Sequence, residues 1–272
     1  MTRLWDFASY NLWSLFSPPV GKEHWHCDMK RGFTKARKKE PQVKALLDRD
    51  NTWQRIGILA QQGVYEFHQR PQFLHRSDGV DRVADILQLS EEVEQVRERV
   101  TQTLHNYQSN PILADREIVE LNRGDEGFPE PIVVCEGRYR FNLYAAIDCI
   151  FREPDGTLHI LDLKTGKSDF DRRQAYVYLL ACRYRYRGER AVASFYNLET
   201  QERSRPISAT GTQLKAIRME LARISKIHQD QLREYRWKQQ SFERLYPANP
   251  GWNCQYCPFE SICQFADREV SA

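Results

Sequence analysis

Two carboxylates and one lysine lie near the middle of this 272-residue chain, at the ends of two neighbouring apolar runs. Asp148 closes the run 144–147, and Asp162 and Lys164 lie two residues apart at the end of the next run. Because side chains alternate along a strand, Asp162 and Lys164 should point to the same face. Carboxylates hold hard cations that neutralise a phosphodiester and create a nucleophile from water, which a lysine can orient or help deprotonate. The three residues predict a divalent-metal phosphodiesterase site.

An aspartate and a lysine spaced in this way most often form only a surface ion pair or a turn. Three further features favour a site. The segment Glu153–Gly156 has the composition of a hairpin turn, which would bring the two apolar runs side by side. Both runs are strongly apolar. An arginine-rich helix follows, with Gln174 and Tyr178 four residues apart on one face, although such a pair is most often simple packing.

Four of the seven cysteines have the spacing of metal ligands. The total is odd and the positions are clustered, which favours metal ligation over a disulfide framework. Four thiolates can hold either zinc or a 4Fe-4S cluster, and the spacing alone favours zinc. The candidate ligands are Cys27, Cys254, Cys257 and Cys263; we expect Cys135, Cys149 and Cys182 to be ordinary buried thiols.

The periodicity of apolar residues, which predicts the helices and strands that position these side chains, changes along the chain. Residues of about 115–164 have the period of strands and predict an antiparallel meander. Its predicted strands are 118–121, 132–135, 139–143, 145–151 and 158–164. Apolar residues at helical spacing precede and follow it. The predicted helices are 53–68, about 80–107 with Ser90 as an N-cap that interrupts or restarts it, 172–187 and about 210–240; the further strands are 191–196 and 203–207.

Net charge gives little indication of the partner. The formal charge is +3 and the pI is about 8.4, so any nucleic-acid surface would have to be local. One basic run lies beside Cys27; such runs are usually solvated surface, but this one could also follow a phosphate backbone. Its members are Lys30, Arg31, Lys35, Arg37, Lys38 and Lys39, against Asp28 alone.

The length is typical of one elaborated domain with a sizeable core. No apolar run approaches the roughly 18 residues of a membrane span, and the first residues lack the order of a signal peptide. The sequence therefore predicts a soluble, cytoplasmic protein that is not associated with a membrane.

The order of these motifs resembles the RecB-like branch of the PD-(D/E)XK nuclease superfamily. The likeness is greatest to members with an iron–sulfur cluster, such as CRISPR-associated RecB-like exonucleases and AddB-type helicase–nuclease domains. The resemblance spans residues 27–263. It is carried by Ala146-Ile147-Asp148, Asp162-Leu163-Lys164, the helical segment from Gln174 to Tyr178 and the cysteines Cys254-x2-Cys257-x5-Cys263.

The resemblance implies an α/β fold with a restriction-endonuclease-like core, in which a central mixed sheet is flanked by helices. A cysteine-cluster subdomain would be formed by both termini. We expect a single nuclease-like domain over residues 1–272, with the nuclease core at about 53–240 and cluster-binding segments at 1–40 and 247–272.

The resemblance also implies a role for each residue. Asp148 and Asp162 would bind Mg or Mn, Lys164 would activate water, and Gln174 and Tyr178 would support the site and the DNA. The four candidate cysteines would hold a 4Fe-4S cluster, so that zinc becomes the less favoured occupant.

The implied function is a metal-dependent DNA exonuclease that acts on single strands or DNA ends. Such an enzyme would serve DNA repair, recombination or CRISPR spacer acquisition, with a helicase or an integrase as a partner. No P-loop of the type G-x4-G-K-[ST] is present, so any unwinding would come from that partner.

Two positions depart from the family pattern. Gln61 stands where the family often has a metal-binding histidine, and an amide oxygen is a weaker ligand. The nearest alternative is His68, about two helical turns further on. Asp162 is one methylene shorter than the more frequent glutamate. These departures leave room for a catalytically weak or inactive DNA-binding or assembly module, and a zinc-stabilised relative acting on RNA is a third alternative.

Overall fold

The computed structural model describes residues 6–18, 21–49, 51–166 and 170–266. The described chain forms two compact units. Unit 1 contains residues 6–18, 21–49, 133–143 and 218–266, and unit 2 contains residues 51–132, 144–166 and 170–217. The outermost parts of the two predicted cluster-binding segments, residues 1–5 and 267–272, lie outside the described residues. The single domain and its boundaries stay a prediction.

Helices and strands both contribute, and the predicted α/β class is confirmed. The helices are α1 Tyr10–Phe16, α2 Asp28–Lys35, α3 Pro41–Leu47, α4 Thr52–Gln69, α5 Gly79–Ile86, α6 Glu94–Ser109, α7 Arg172–Arg185, α8 Gly211–Arg236 and α9 Phe242–Leu245. The strands are β1 Phe7–Ser9, β2 Glu117–Leu121, β3 Ile132–Glu136, β4 Tyr139–Tyr144, β5 Cys149–Arg152, β6 Leu158–Lys164 and β7 Ala191–Asn197.

Unit 2 contains a four-stranded mixed sheet in the order β2-β5-β6-β7. β5 pairs antiparallel with both β2 and β6, and β6 pairs parallel with β7. A parallel pair needs a long crossover, which α7 provides between β6 and β7. The first five residues of β6 are all buried, as expected for a strand covered on both faces.

The prediction of one continuous meander over residues 115–164 is wrong. β3 and β4 belong to a second, three-stranded sheet in the order β1-β4-β3. Both edges of β5 are occupied, by β2 on one side and β6 on the other, so β5 has no edge left for β4. The predicted strand at 203–207 is also wrong, because that segment makes only isolated bridges at Arg203 and Ile207.

The core of unit 2 contains the packed pair α4 and α6. Apolar residues of α4, including Leu59 and Phe67, recur at helical spacing and are buried. Gly63 allows the close approach, because a Cβ at this position would lie 2.1 Å from Cδ2 of Leu104. The helix predicted at 53–68 is therefore confirmed as α4.

The helix predicted at about 80–107 is two helices. α5 and α6 are separated by a short 3-10 turn, Leu89–Glu91, which Gln88 enters in the left-handed conformation (φ 54°). Ser90 lies inside this turn, and Val93 occupies the N-cap position of α6, so the predicted Ser90 N-cap is wrong.

Unit 1 has its own apolar core, in which α2 packs against α9 and the C-terminal segment. A Cβ at Gly32 would lie 2.6 Å from the ring of Tyr246. Arg31, from the basic run, is 2% exposed; its Nε and Nη2 donate to Asp28 (3.0 and 2.6 Å), and its guanidinium lies 3.9 Å from the ring centroid of Phe16. The interpretation of Arg31 as solvated or phosphate-binding surface is wrong, because these contacts bury it.

Among the helices of the described ranges, none combines the length and the apolar character that crossing a bilayer requires.

Candidate active site

Strand β6 presents the predicted acid and lysine on one face. Asp162 is 2% exposed, whereas Lys164 reaches further into solvent. Nζ of Lys164 lies 2.6 Å from Oδ2 of Asp162. The alternation of side chains along the strand produces this contact, as the two-residue spacing predicts.

The hairpin between β5 and β6 brings Asp148 beside this pair. The predicted turn is present, since Gly156 N donates to the carbonyl of Glu153 (2.8 Å). Cys149 pairs with Leu161, which places Asp148 next to Asp162. Leu163 N donates to Oδ2 of Asp148 (2.7 Å).

Asp148 lies outside the strand in which the sequence predicts it. The sequence predicts a strand over 145–151, with Asp148 at the end of an apolar run. In the structure, residues 145–148 have no strand conformation and β5 begins at Cys149. Asp148 therefore directly precedes β5.

The site has an excess of negative charge. Burial, and then the neighbouring Asp162 carboxylate, raise the pKa of Asp148. Burial also raises the pKa of Asp162, against the opposing effect of Lys164. Two carboxylates that share one lysine in a buried setting are difficult to ionise together. A bound cation would relieve this repulsion.

Helix α7 fixes one oxygen of Asp162. Tyr178 Oη donates to Oδ1 (2.8 Å), and Gln174 Nε2 donates to the same oxygen (3.0 Å). Gln174 Nε2 also donates to Tyr178 Oη (2.6 Å), so the two side chains, one helical turn apart, act together. Within the described ranges, Oδ2 of Asp162 is buried, accepts no hydrogen bond and lies in an ion pair with Lys164. This oxygen is the one available to a cation.

Gln61 of α4 lies beside Asp148. Its amide side chain favours the ionised carboxylate and so lowers the pKa of Asp148, opposing part of the effect of burial. Its Nε2 also donates to the carbonyl of Asn122 (3.2 Å). The glutamine that stands in place of the family's frequent histidine therefore lies beside a candidate metal-binding acid.

His68 is not part of this group. Its Nε2 lies 2.6 Å from Tyr107 Oη, on the side of α4 that faces α6. Burial lowers the pKa of His68 to about 4, which keeps the imidazole neutral near pH 7. His68, the predicted alternative to Gln61 as a metal ligand, therefore contacts Tyr107 in the core instead.

Asp148 and Gln61 line a cavity of about 430 Å³ within unit 2. Its other walls include Glu120, Arg185 and the loop 124–132. Arg185 Nη2 donates to Oε2 of Glu120 (2.6 Å), so this cationic side chain is paired with an acid of β2.

Sequence reasoning missed Asn122, which supports the Asp148 segment. Asn122 N donates to the carbonyl of Asp148 (2.8 Å), and its Nδ2 donates to the carbonyl of Ile147 (2.6 Å) and to Glu120 (2.9 Å). A signal was available, because Glu120 and Asn122 are polar residues two apart where the predicted strand 118–121 ends.

The order and geometry of the acids and the lysine agree with a comparison of the sequence with known families. A model of the PD-(D/E)XK nuclease superfamily matches residues 28–264. The chain belongs to the PD-(D/E)XK nuclease superfamily. Nucleases of this superfamily generally use Mg²⁺ or Mn²⁺. Asp162-Leu163-Lys164 fits the (D/E)XK part of the superfamily name, and the role of each residue stays a prediction.

Other comparisons add less. A search among curated proteins gave no match. Among solved structures, the crystal structure of SSO0001 is similar over 76% of this chain and 94% of that chain, with 14% identity and a TM-score of 0.32.

The superfamily match includes the three C-terminal cysteines and begins one residue after Cys27. In unit 1, these four residues line one cavity of about 60 Å³. Burial raises the pKa of the Cys257 and Cys263 thiols, and their cysteine neighbours raise it further. Over the residues that the structure describes, no three acidic, histidine or cysteine side chains have the arrangement of a metal site.

Two of the three remaining cysteines are buried as predicted, and the third is not. Cys149 and Cys182 are buried in β5 and α7. Cys135 is exposed, because β3 alternates its faces and turns Val134 inward instead. The prediction of a buried thiol at Cys135 is therefore wrong.

Proposed function

We propose that this chain hydrolyses DNA phosphodiesters with Mg²⁺ or Mn²⁺ held by Asp148 and Asp162, and with Lys164 as the residue that orients or deprotonates water. The observation that carries the proposal is the convergence of two acids and one lysine, the buried Asp162 with Lys164 and the half-buried Asp148, which also lines a cavity.

The donor set fits a hard divalent cation. Carboxylate oxygens are the preferred ligands of Mg²⁺ and Mn²⁺. Oδ2 of Asp162 is buried and accepts no hydrogen bond from the described residues. Burial raises the pKa of both acids, and the Asp162 carboxylate raises that of Asp148 further, so a bound cation would stabilise the ionised pair. When bound, the cation would neutralise charge on the scissile phosphate and lower the pKa of a bound water.

The protein holds the reacting groups in place before DNA binds. Gln174 and Tyr178 orient Asp162 through Oδ1, and Leu163 N orients Asp148 through Oδ2. Such fixed polar contacts reduce the reorganisation needed during reaction. Lys164 lies 2.6 Å from Asp162, so its ammonium group can hold or transfer a proton close to the acids.

The substrate follows from the resemblance to RecB-like nucleases. We extend the proposal to exonucleolytic digestion of single-stranded DNA or DNA ends, with a helicase or integrase partner in repair or CRISPR spacer acquisition. The order of Asp148, Asp162-x-Lys164, Gln174 and Tyr178 along the chain supports this extension.

We further propose that Cys27, Cys254, Cys257 and Cys263 hold a 4Fe-4S cluster with a structural role. Their shared cavity in unit 1 supports this assignment, since four thiols are a suitable ligand set. A brown protein that absorbs near about 400 nm is the expected result. A colourless protein purified without oxygen, with zinc as its metal, would replace the cluster by a zinc site.

The activity is tested with labelled single-stranded DNA and Mn²⁺. We expect degradation by the wild type and a loss of roughly 10²- to 10⁴-fold in the Lys164→Ala variant, which should retain DNA binding. The matched control is Lys215→Ala, which removes an exposed lysine of α8. A wild type that binds DNA but cleaves nothing with Mg²⁺ or Mn²⁺ would contradict the proposal and favour the inactive DNA-binding module.

A further inference from the structure

The wall of the catalytic cavity carries an unusually exposed aromatic side chain. Phe128 is 94% exposed, more than any other large hydrophobic residue in the described ranges. It lines the same cavity as Asp148 and Gln61. Exposed apolar groups beside a functional cavity indicate a binding partner more often than isolated ones do.

The loop that presents Phe128 is anchored on its N-terminal side. Oδ2 of Asp125 accepts a hydrogen bond from Gln62 Nε2 of α4 (3.0 Å). Oε2 of Glu126 accepts one from Gly124 N (2.7 Å). Pro129 and Pro131 restrict the backbone on the other side of Phe128. The ring is thus displayed by a constrained backbone, which reduces the entropy lost when a partner binds.

One neighbour of the Phe128 ring is also aromatic. The ring of Tyr144 lies 6.3 Å from that of Phe128, at an interplanar angle of 66°. The two rings are inclined edge-to-face, and the 94% exposure of Phe128 leaves almost all of its ring open to solvent.

We propose that Phe128 stacks on an unpaired nucleobase of the DNA strand that enters the cavity, and so makes this site selective for single strands. This inference rests on the proposed function. Every base has a π-face, so stacking on an aromatic residue is strong and tolerant of sequence. Both faces of a base inside a duplex are already stacked on neighbouring base pairs, so only an unpaired base can accept the ring.

The acidity of the cavity agrees with recognition of a base rather than of the backbone. Glu120, Glu126 and Glu130 line it together with Asp148, and Arg185, the one arginine among its described lining residues, is paired with Glu120. Without a bound cation, this acidic wall repels phosphates, whereas an aromatic face can hold an uncharged base.

The test measures binding of a single-stranded oligonucleotide and of the matching duplex without added divalent metal, so that no strand is cut. Phe128→Ala should weaken single-strand binding by at least about 5-fold, as expected for the loss of one stacked base. Phe128→Leu should behave like Phe128→Ala, whereas Phe128→Trp should retain affinity. Duplex binding should not change. Trp53→Ala is the control, because Trp53 is 57% exposed on α4 and does not line the cavity.

A second arm locates the base. An abasic substitution, moved one position at a time along the oligonucleotide, should weaken wild-type binding at one position and should have no further effect there in Phe128→Ala. Equal abasic penalties in both proteins, or unchanged affinity of Phe128→Ala, would overturn the inference while hydrolysis by the wild type continued. A wild type that neither binds nor cuts single strands would overturn the proposed function as well.

Discussion

Asp162 divides its two carboxylate oxygens between different partners. Oδ1 accepts hydrogen bonds from Gln174 and Tyr178, whereas Oδ2 faces Lys164. Residues that fix a ligand in this way influence metal affinity, because they orient the oxygen that coordinates. We therefore propose that Tyr178 is a positioning residue.

We predict that Tyr178→Phe raises the Mn²⁺ concentration needed for half-maximal activity by roughly 10- to 100-fold, with a smaller effect on the maximal rate. The physical reason is the loss of the donor to Oδ1 of Asp162. The matched control is Tyr176→Phe, on the same helix and without a hydrogen bond to Asp162. The measurement is cleavage activity of both variants as a function of Mn²⁺ concentration. Identical curves for the two variants would contradict the positioning role.

A second residue-scale prediction concerns His68. Burial lowers the pKa of His68 to about 4 in the folded protein, whereas an unfolded histidine titrates near about 6.5. Between these values the unfolded chain binds a proton that the folded protein does not. His68 therefore contributes stability above about pH 6.5 and loses it as the pH falls toward 4, by up to about 1.4 kcal/mol per pH unit.

The measurement is urea unfolding at several pH values between 6.5 and 4. The free energy of unfolding should fall less steeply with acid in His68→Gln than in the wild type. His105→Gln, an exposed histidine of α6, should leave the slope unchanged. Equal slopes for wild type and His68→Gln would show that this imidazole is not buried as a neutral group.

At the scale of elements, the spacing of residues within one strand or one helix predicted which side chains meet. Alternation along one strand was sufficient to place Asp162 and Lys164 on one face, and a spacing of four was sufficient to pair Gln174 with Tyr178. The hairpin composition of 153–156 then accounted for the approach of Asp148.

The features that the sequence did not reveal depend on contacts between distant segments. β4 pairs with β1 and not with β5, because both edges of β5 are already occupied. The residue pattern of a single strand does not show which strand edges are free. Arg31 looks like a member of a surface run, yet Nη1 of Arg31 donates to Gln231, 200 residues away (2.7 Å). Tertiary contacts of this kind override local composition.

The loop 124–132 gives an element-scale prediction with an internal control. Gly124 and Gly127 both have positive φ (94° and 89°), so alanine at either position should cost about 1–2 kcal/mol of stability. Only at Gly124 would the new Cβ meet another group, Gln61 at 2.8 Å, whereas at Gly127 it meets nothing within 4 Å.

We therefore expect similar losses of unfolding free energy in Gly124→Ala and Gly127→Ala, but a greater loss of nuclease activity in Gly124→Ala. The additional effect arises from displacement of Gln61 beside Asp148. Urea unfolding and initial cleavage rates measure the two quantities. Equal activities would show that the approach of the loop to Gln61 has no influence on the candidate metal-binding acids.

At the scale of the whole molecule, the two candidate centres belong to different compact units. The acids, Lys164 and the cavity are in unit 2, and the four candidate cysteines are in unit 1. A site built from both terminal segments should stabilise the fold that contains it, because metal binding and folding are coupled.

Cys254→Ser should accordingly lower the bound iron, reduce absorbance near about 400 nm and lower the melting temperature. Cys135→Ser is the matched control, since Cys135 is exposed on β3 and lies outside the candidate set. Iron analysis and thermal unfolding give the two readouts. Equal iron content and equal melting temperatures in the two variants would contradict a cluster at these cysteines.

The central claim is that Asp148 and Asp162 share one divalent cation. The most direct measurement is anomalous diffraction from crystals soaked in Mn²⁺. We predict one strong peak at roughly 2.0 to 2.6 Å from a carboxylate oxygen of each residue, with Oδ2 of Asp162 as its ligand. The peak should disappear in Asp148→Asn. A protein that cleaves DNA in the same Mn²⁺ solution without a peak between these two residues would contradict the claim.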